Sequence, residues 1–394
     1  MNKLTLKDVN FHGKKVIIRA DFNVPLDKNL KITDDRRIKE ALPTIQYVLK
    51  NSASKVILMS HLGRPDAKVV NNLRLRPVGE KLEELLSQKV LKMDDCIGDG
   101  IKQKIANSSE RVILLENLRF HQEEEKNDPH FAKELASLAD IYVDDAFGTA
   151  HRAHASTAGI TKYLPSVAGF LLEKEINYLG KAVSNPQKPF VVILGGAKVS
   201  DKIMIIENLL PKADAIIIGG GMAYTFLKTQ GQKIGSSKLE NDKLDVAKNL
   251  LEKAKFKNVK MGLPIDHVIT KSIDSTTDIK TVTDIPDGWI AVDIGPATRK
   301  NFKEILSKAK TIVWNGPLGI FEIDAFAEGT REIAQYIAHL KGVTSIIGGG
   351  DTAAAISKFK LEELMTHIST GGGASLEYLE GKELPGIAAL NDKK

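Results

Sequence analysis

Short apolar runs alternate with longer amphipathic stretches along the whole chain. In the first half these runs are residues 16–19, 56–59, 112–115 and 141–143. In the second half they are residues 190–194, 215–218, 311–314 and 345–347. Nearly continuous apolar runs of this length are typical of strands buried on both faces of a parallel sheet.

Helical patterns lie between the predicted strands. Asp128 precedes Pro129, which predicts an N-cap followed by proline in the first turn, and Pro77 is placed to open a second helix. Strands that alternate with helices favour right-handed crossovers. The sequence therefore predicts an α/β fold with two doubly wound, Rossmann-like parallel-sheet domains.

The chain has 394 residues, a length typical of two to three domains. The proline-containing stretch 185–189 is a plausible linker, and residue usage differs on its two sides. Residues 1–190 hold nine of the eleven arginines but only nine of the 31 glycines. This asymmetry indicates that the two halves bind different ligands.

The net charge of +6 is mild for this length and does not indicate a nucleic-acid-binding protein. No apolar run is long enough for a membrane helix, and the N-terminal residues lack the apolar segment of a signal peptide. The single cysteine, Cys96, excludes an internal disulfide and fits a reducing compartment. We therefore expect a cytoplasmic protein with no nucleic acid or membrane as a partner.

Polar side chains follow the predicted strands of the first half. They are Asp21, Asn23, His61, Arg64, Arg119 and Arg152. Carboxyl ends of parallel strands meet at one sheet edge, and converging guanidinium groups suit a small polyanion. A single arginine is more often a surface ion-pair partner, His61 alone is as readily structural, and Asp21 and Asn23 also suit a turn.

Glycine-rich turns follow the strands of the second half. Gly195 and Gly349 each precede a predicted helix, where backbone amides favour phosphate. Lys198 and Lys202 add positive charge, and the lone carboxylate of Asp351 suits Mg²⁺ held together with nucleotide phosphates. The alternative is that these glycines only permit tight packing between strand and helix.

Two other functions fit the predicted architecture. A nicotinamide-dependent dehydrogenase shares the doubly wound fold, but neither the dinucleotide fingerprint nor a P-loop occurs in the chain. A two-lobed anion-binding protein would explain the arginines, but it would leave Lys198, Lys202 and Asp351 without a shared purpose.

Seven blocks of residues resemble the phosphoglycerate kinase family along the entire chain, in the family's order and approximate spacing. The blocks are residues 21–25, 61–65, 116–120, 145–154, 195–202, 314–322 and 348–352. Residues 375–382 are also similar to the family's C-terminal return segment. The resemblance implies that residues 1–170 and about 376–394 form a phosphoglycerate-binding domain, that 186–370 form a nucleotide-binding domain, and that 171–185 are an interdomain helix or linker.

The resemblance further implies direct in-line phosphoryl transfer from 1,3-bisphosphoglycerate to Mg-ADP in a monomer, without a phosphoenzyme. It also implies that the two domains are separated by a hinged cleft, which closes for the transfer. Substrate binding is implied for Asp21, Phe22, Asn23, Arg37, His61, Leu62, Gly63, Arg64, Arg119 and Arg152. Catalysis is implied for Arg37, Lys198, Lys202, Gly349 and Gly372. Nucleotide binding is implied for Gly195, Lys202, Gly219, Asn315, Pro317, Glu322, Gly349, Gly350, Asp351 and Thr352, with Asp351 also the metal ligand.

Overall fold

The computed structural model describes residues 2–274 and 277–393 and divides into two compact units. Unit 1 takes the chain up to Asn177 together with the residues from Glu383 onwards, and unit 2 takes Tyr178–Lys382. Within the described residues we find no helix long and apolar enough to cross a membrane.

Unit 1 is built on a six-stranded parallel sheet. Its strands are β1 (Lys15–Arg19), β2 (Lys55–Met59), β3 (Val90–Lys92), β4 (Val112–Leu114), β5 (Ile141–Asp144) and β6 (Ser166–Ala168). They lie in the order β3-β4-β2-β1-β5-β6, so the direction of chain progression reverses beside β1. The α-helices are α1 (Arg36–Lys50), α2 (Arg76–Leu86), α3 (Asp99–Asn107), α4 (Gln122–Glu125) and α5 (Pro129–Ala136), and α6 (Phe170–Ser184) continues into unit 2.

The predicted capping of two helices is confirmed. The Asp128 carboxylate accepts a hydrogen bond from the Phe131 amide at 2.9 Å, and Pro129 occupies the first turn of α5. Pro77 lies in the first turn of α2. Short 3₁₀ segments of unit 1 are Leu6–Asp8, Asn71–Leu73, Leu118–Phe120, Phe147–Thr149 and Ile160–Lys162, and a π-helical turn covers Ala155–Gly159.

Unit 2 contains a second six-stranded parallel sheet and a smaller antiparallel one. The strands are β7 (Phe190–Leu194), β8 (Ala215–Ile218), β9 (Lys260–Gly262), β10 (His267–Thr270), β11 (Lys280–Val282), β12 (Ile290–Ile294), β13 (Thr311–Asn315), β14 (Thr344–Gly348) and β15 (His367–Ile368). The parallel sheet has the order β15-β14-β13-β7-β8-β9, and its reversal lies between β13 and β7. The prediction of two doubly wound parallel-sheet α/β domains is confirmed.

The helices of unit 2 connect these strands. They are α7 (Ile203–Leu209), α8 (Ala223–Thr229), α9 (Leu244–Phe256), α10 (Pro296–Leu306), α11 (Glu328–Ala338), α12 (Gly350–Lys358) and α13 (Gly373–Leu379), with 3₁₀ segments at Asn241–Lys243, Asp324–Phe326 and Glu362–Leu364. The antiparallel sheet, in the order β11-β10-β12, was not predicted.

The C-terminal segment completes unit 1. It contains a short helix, α14 (Pro385–Ala388), whose Gly386 amide donates to Ala150 O at 2.9 Å. The Asn391 side chain accepts from the Ser166 amide at 2.7 Å, and Asn391 O accepts from the Leu4 amide at 2.8 Å. The last residues are therefore tied to the same sheet edge as the first ones.

The boundary between the two units falls inside α6. It lies within the segment 171–185 that the resemblance gives as an interdomain helix or linker, and the return to unit 1 begins at Glu383 rather than at about 376. Helix α13 packs on α7, where the Asn208 side chain donates to Leu379 O at 2.7 Å. These contacts place residues 376–382 in unit 2.

A buried carboxyl group, that of Asp145, anchors the start of α6. Its Oδ1 accepts hydrogen bonds from the amides of Leu171 at 2.8 Å and Leu172 at 3.2 Å. Burial raises its pKa from 3.8 to about 8, although hydrogen bonds from the Thr44 hydroxyl and from these amides oppose the shift. The folded chain therefore retains a proton there that the unfolded chain releases above about pH 4.

We expect Asp145→Asn to remove one source of pH-dependent instability, because asparagine keeps the Oδ1 acceptor and cannot ionise. A carboxyl group whose pKa is raised on folding contributes to the free energy of unfolding at low pH. This contribution is lost as the pH rises from about 4 to about 8, the pKa of Asp145 in the folded chain. From about pH 5 to 8.5, the wild type should lose at least ~1 kcal/mol of unfolding free energy relative to the variant, since one proton corresponds to ~1.4 kcal/mol per pH unit. Urea denaturation at both pH values measures this difference; a difference that stays constant contradicts the assignment.

Candidate functional site

Four neighbouring strands of unit 1 bring the predicted polar residues to one sheet edge. The strands β4, β2, β1 and β5 are adjacent in the sheet and all run parallel. The reversal of chain progression lies between β1 and β5, the position at which open α/β sheets bind ligands. The loops after these strands therefore form a candidate ligand site.

The loops after β1 and β2 are joined through hydrogen bonds of Asp21 and Asn23. Arg37, in the first turn of α1, donates to Asp21 Oδ2 at 2.6 Å, while Asp21 Oδ1 accepts from the Asn23 amide at 3.1 Å. Asn23 Oδ1 accepts from the Gly63 amide at 2.9 Å. Asp21 thus forms the turn and also holds the Arg37 guanidinium.

Arg64, Arg119 and Arg152 line one cavity of about 260 Å³, which they share with Glu125, Pro65 and Asp66. The Arg119 guanidinium donates to Gly63 O at 2.9 Å and lies 3.2 Å from the Glu125 carboxylate. Three guanidinium groups against two carboxylates leave the cavity positive. Its size and charge suit a phosphate group.

His61 is held as a neutral ring by Arg19. Burial and the nearby Arg19 charge lower the pKa of His61 well below its ordinary value. The Arg19 guanidinium lies 3.1 Å from His61 Nδ1, and a guanidinium can only donate. Nδ1 therefore accepts, so the proton is on Nε2, which can donate to an anionic ligand.

Arg19 belongs to a buried polar network that was not predicted as part of the site. Its Nε donates to Ser156 Oγ at 2.9 Å, and Ser156 Oγ donates to Glu124 Oε1 at 2.5 Å. Burial raises the pKa of Glu124, against the opposing charge of Arg19. Burial also lowers the pKa of His154 to about 3. The sequence signal was an arginine ending an otherwise apolar strand.

Phe22 and Leu62 are apolar members of the predicted set and lie in the core of unit 1. The Phe22 amide donates to Ser60 Oγ at 2.8 Å, and Asn117 Nδ2 donates to Leu62 O at 2.8 Å. These contacts fix the loop backbones that carry Asn23 and His61.

In unit 2 the turns after β7 and β13 touch at the reversal point of the sheet. The Gly195 amide donates to Asn315 O at 2.9 Å. A Cβ on Gly195 would lie 2.1 Å from Pro317 O, and Gly316 has a φ of +97°. Only glycines permit this backbone approach at the reversal point of the sheet, the position at which open α/β sheets bind ligands.

Lys202 and Asn315 meet at this turn. The Lys202 ammonium donates to Asn315 Oδ1, and burial lowers the Lys202 pKa, while the charges of Asp201 and Asp351 oppose the shift. Asn315 Nδ2 is buried without a hydrogen-bond partner among the described residues. It lies 2.9 Å from where a Cβ of Gly349 would be, so an unsatisfied donor sits at the start of α12.

The first turn of α12 carries Gly350, Asp351 and Thr352. The Thr352 hydroxyl accepts from the Gly316 amide at 2.7 Å and so ties α12 to the turn after β13. Asp351 is exposed, and a Cβ on Gly350 would meet open space. The first turn of α12 can therefore bind a phosphate through its backbone amides and a metal ion through the Asp351 carboxylate.

The remaining residues predicted for catalysis or nucleotide binding lie in loops of unit 2. Gly219 follows β8, where a Cβ would lie 2.5 Å from the Leu318 side chain. Lys198 is exposed after β7, and the exposed Glu322 uses its main-chain oxygen to accept from Lys358 at 3.0 Å. Gly372 precedes α13 and has a φ of +51°. A Cβ added to it would have no atom within 4 Å.

Comparisons with known proteins agree on one family. The family model for phosphoglycerate kinase matches residues 6–382. A phosphoglycerate kinase of Dictyoglomus turgidum is 58% identical over 99% of this chain and 98% of its own length, and one of Thermosipho africanus is 56% identical over 100% and 99%. The structure of phosphoglycerate kinase from Coxiella burnetii matches with a TM-score of 0.89 at 43% identity over 98% of each chain.

Proposed function

Because the chain belongs to the phosphoglycerate kinase family, we propose which of its residues hold each substrate of the family's reaction. The activity is the reversible transfer of a phosphoryl group from 1,3-bisphosphoglycerate to ADP, which gives 3-phosphoglycerate and ATP. The observation that carries the assignment is the pair of strand-end sites, one rich in arginine and one in glycine, at the reversal points of the two parallel sheets.

Unit 1 is the proposed phosphoglycerate-binding domain. Arg64, Arg119 and Arg152 hold the phosphate that is not transferred, in the cavity that they line. His61 adds a neutral donor through Nε2. The glycerate hydroxyl binds Asp21 and Asn23, with Phe22, Leu62 and Gly63 shaping the surrounding loops.

Arg37 is proposed to neutralise the reacting group. Its guanidinium is held by Asp21 in the first turn of α1 but is one-third exposed, so part of its donor set remains available to a ligand. We propose that its charge lies beside the carboxyl phosphate of a substrate whose hydroxyl binds Asp21.

Unit 2 is the proposed nucleotide-binding domain. Lys202 and the amides of Gly349 and Gly350 hold phosphate oxygens beside the Gly195 turn, and Asn315 Nδ2 supplies the unsatisfied donor. Lys198 adds mobile charge, Glu322 accepts from the ribose, and Gly219, Pro317, Thr352 and Gly372 shape the backbone around them.

Mg²⁺ fits the donor set at the start of α12. A magnesium ion takes one or two carboxylates together with substrate phosphates, and Asp351 is an exposed carboxylate beside open space. Asp351 would hold the ion, which when bound supplies charge neutralisation to the nucleotide phosphates.

Direct transfer suits this set of side chains. Phosphoryl transfer needs alignment and charge neutralisation rather than covalent help from the protein. Arg37, Lys202 and the helix amides provide positive groups, and none of the proposed site residues is an activated nucleophile. Domain closure, which is typical of the family, would complete the alignment. We also propose a cytoplasmic monomer that requires neither nucleic acid nor a membrane.

The proposed activity is tested by a coupled assay of 3-phosphoglycerate and Mg-ATP consumption. Turnover that depends on both substrates supports the assignment. Purified chain that consumes neither overturns it.

We expect Asp351→Ala to weaken Mg-nucleotide binding about tenfold or more and to leave 3-phosphoglycerate binding within about twofold, because the only carboxylate proposed for the metal is lost. Calorimetric titration with each ligand measures the two affinities. Asp242→Ala is the matched control, since Asp242 is an exposed carboxylate of unit 2 that pairs with its neighbour Lys243. Equal losses for both ligands in the Asp351 variant would contradict the metal assignment.

A further inference from the structure

Three side chains with metal-ligating atoms lie together in unit 1, outside both strand-end sites. Asp95 and Cys96 are in the segment between β3 and α3, and His121 follows the 3₁₀ segment Leu118–Phe120. One ligand atom of each lies within 4.8 Å of the other two. The reaction proposed above uses none of these three side chains.

Two hydrogen bonds converge on one carboxylate oxygen in this cluster. His121 Nε2 lies 2.7 Å from Asp95 Oδ1. The Cys96 amide donates to the same Oδ1 at 2.7 Å, which fixes the carboxylate relative to the thiol. The ring of His121 packs against Phe131 with 5.2 Å between ring centroids. The carboxylate and the imidazole are therefore already in contact, and the Cys96 sulfur lies within 4.8 Å of both ligand atoms.

The surroundings of the cluster are negative. Burial raises the pKa of the Cys96 thiol, and the charges of Asp95, Glu124 and Glu116 raise it further. The Asp95 hydrogen bond raises the pKa of His121, and nearby glutamates add to the shift. The carboxylates of Asp95 and Glu116 near the thiol have the sign of charge that attracts a cation.

We propose that Asp95, Cys96 and His121 form a binding site for a divalent metal ion that accepts sulfur, nitrogen and oxygen ligands together, represented by Zn²⁺. Thiolate, imidazole and carboxylate are the ligand types of tetrahedral zinc, and three protein ligands leave a fourth position for water. Mg²⁺ prefers oxygen ligands only, so this site differs in kind from the one assigned to Asp351.

The geometry requires only small side-chain movements. Tetrahedral zinc holds oxygen, nitrogen and sulfur ligands about 3.3 to 3.6 Å apart. The His121–Asp95 pair at 2.7 Å would open slightly, and the widest separation, at most 4.8 Å, would close. Asp95 is half-exposed and His121 one-quarter exposed, so the ion can enter from solvent. Cys96 forms the buried inner side of the site.

Binding exchanges protons for the metal. The metal–sulfur bond forms as the thiol releases its proton to solvent, and the metal–nitrogen bond forms as the imidazole Nε2 is freed, with loss of a second proton where His121 is charged. Affinity should therefore rise with pH.

The test uses the full chain without a polyhistidine tag, titrated with Co²⁺ and then with Zn²⁺ as competitor. We expect one Co²⁺ per chain with a thiolate-to-cobalt charge-transfer band, which Zn²⁺ abolishes and which millimolar Mg²⁺ leaves intact. The chain has one cysteine, so the band reports on Cys96 alone. The measurement needs no substrate and no catalytic turnover, so its outcome is independent of the assay for kinase activity.

Variants distinguish the proposed ligands from nearby groups. Cys96→Ser should abolish the charge-transfer band, and Asp95→Asn and His121→Gln should each weaken Co²⁺ binding about tenfold or more. Asp94→Asn is the matched control, because Asp94 is the exposed neighbour of Asp95 and pairs only loosely with Lys104 at 3.7 Å. Its affinity should stay within about twofold of the wild type.

Misfolding of the buried Cys96→Ser variant would also remove the band, so the variants of the partly exposed Asp95 and His121 provide a second test. Circular dichroism of each variant verifies the fold. A wild-type chain that shows no charge-transfer band overturns the proposal. Co²⁺ binding that is equal in the Asp94 and Asp95 variants, or unaffected by His121→Gln, also overturns it.

Discussion

Arg37→Ala is expected to lower the turnover number about 10²- to 10³-fold while nucleotide affinity stays within about twofold. The proposed role of Arg37 is to neutralise charge on the transferred group, and removal of one such donor from a preorganised site typically has an effect of this size. Steady-state kinetics at saturating substrates, together with nucleotide titration of the free enzyme, measures the two quantities. The Michaelis constant for 3-phosphoglycerate should also rise, because Asp21 loses the partner that it holds at 2.6 Å.

Arg36→Ala is the matched control for this experiment. Arg36 precedes Arg37 in α1 but is more exposed and pairs with Asp34 at 3.3 Å. Its removal should leave turnover within about twofold of the wild type, because exposed ion pairs contribute little. If turnover of the Arg37 variant equals that of the Arg36 variant, Arg37 does not act on the reacting group.

Gly195→Ala is expected to destabilise the chain by about 2 to 4 kcal/mol and to weaken nucleotide binding strongly. An added Cβ would lie 2.1 Å from Pro317 O and 2.6 Å from Gly316 O, so the turns after β7 and β13 would have to separate. Urea denaturation and ADP titration measure the two effects. Unchanged stability would show that the two turns are not packed as described.

Gly350→Ala is the comparison for the Gly195 variant. A Cβ at Gly350 meets no atom within 4 Å, and alanine favours the helical backbone of α12. We expect its stability to equal or slightly exceed that of the wild type. Comparison of the two variants shows whether a loss of stability comes from the close backbone approach at Gly195 or from replacing any glycine in this region.

The central strands could be predicted because their residues are apolar without interruption. Each of the eight predicted runs coincides with a strand, since a parallel strand covered on both faces admits few polar side chains. The antiparallel sheet lacked this signal. Its strand β11 (Lys280–Val282) is short and largely exposed, and Asp293 interrupts the apolar residues of β12, so neither strand is a continuous apolar run.

The candidate site was predictable wherever a polar residue directly follows such a run. Asp21, His61 and Arg119 stand out for this reason. Arg19 was less visible because it occupies the last position of β1 itself, and its partners Ser156 and Glu124 come from segments without regular patterning. A buried ion network depends on the tertiary placement of several segments, which local periodicity does not encode.

The hydrogen bonds of Asn391 to Leu4 near the N-terminus and to Ser166 in β6 have a consequence for synthesis of the chain. Unit 2 is continuous in sequence, whereas unit 1 lacks its final piece until the residues from Glu383 onwards have been made. A nascent chain can therefore fold unit 2 while unit 1 is still incomplete. At that stage the amides of Leu4 and Ser166 have not yet paired with Asn391. The N-terminal unit begins first on the ribosome but is finished last.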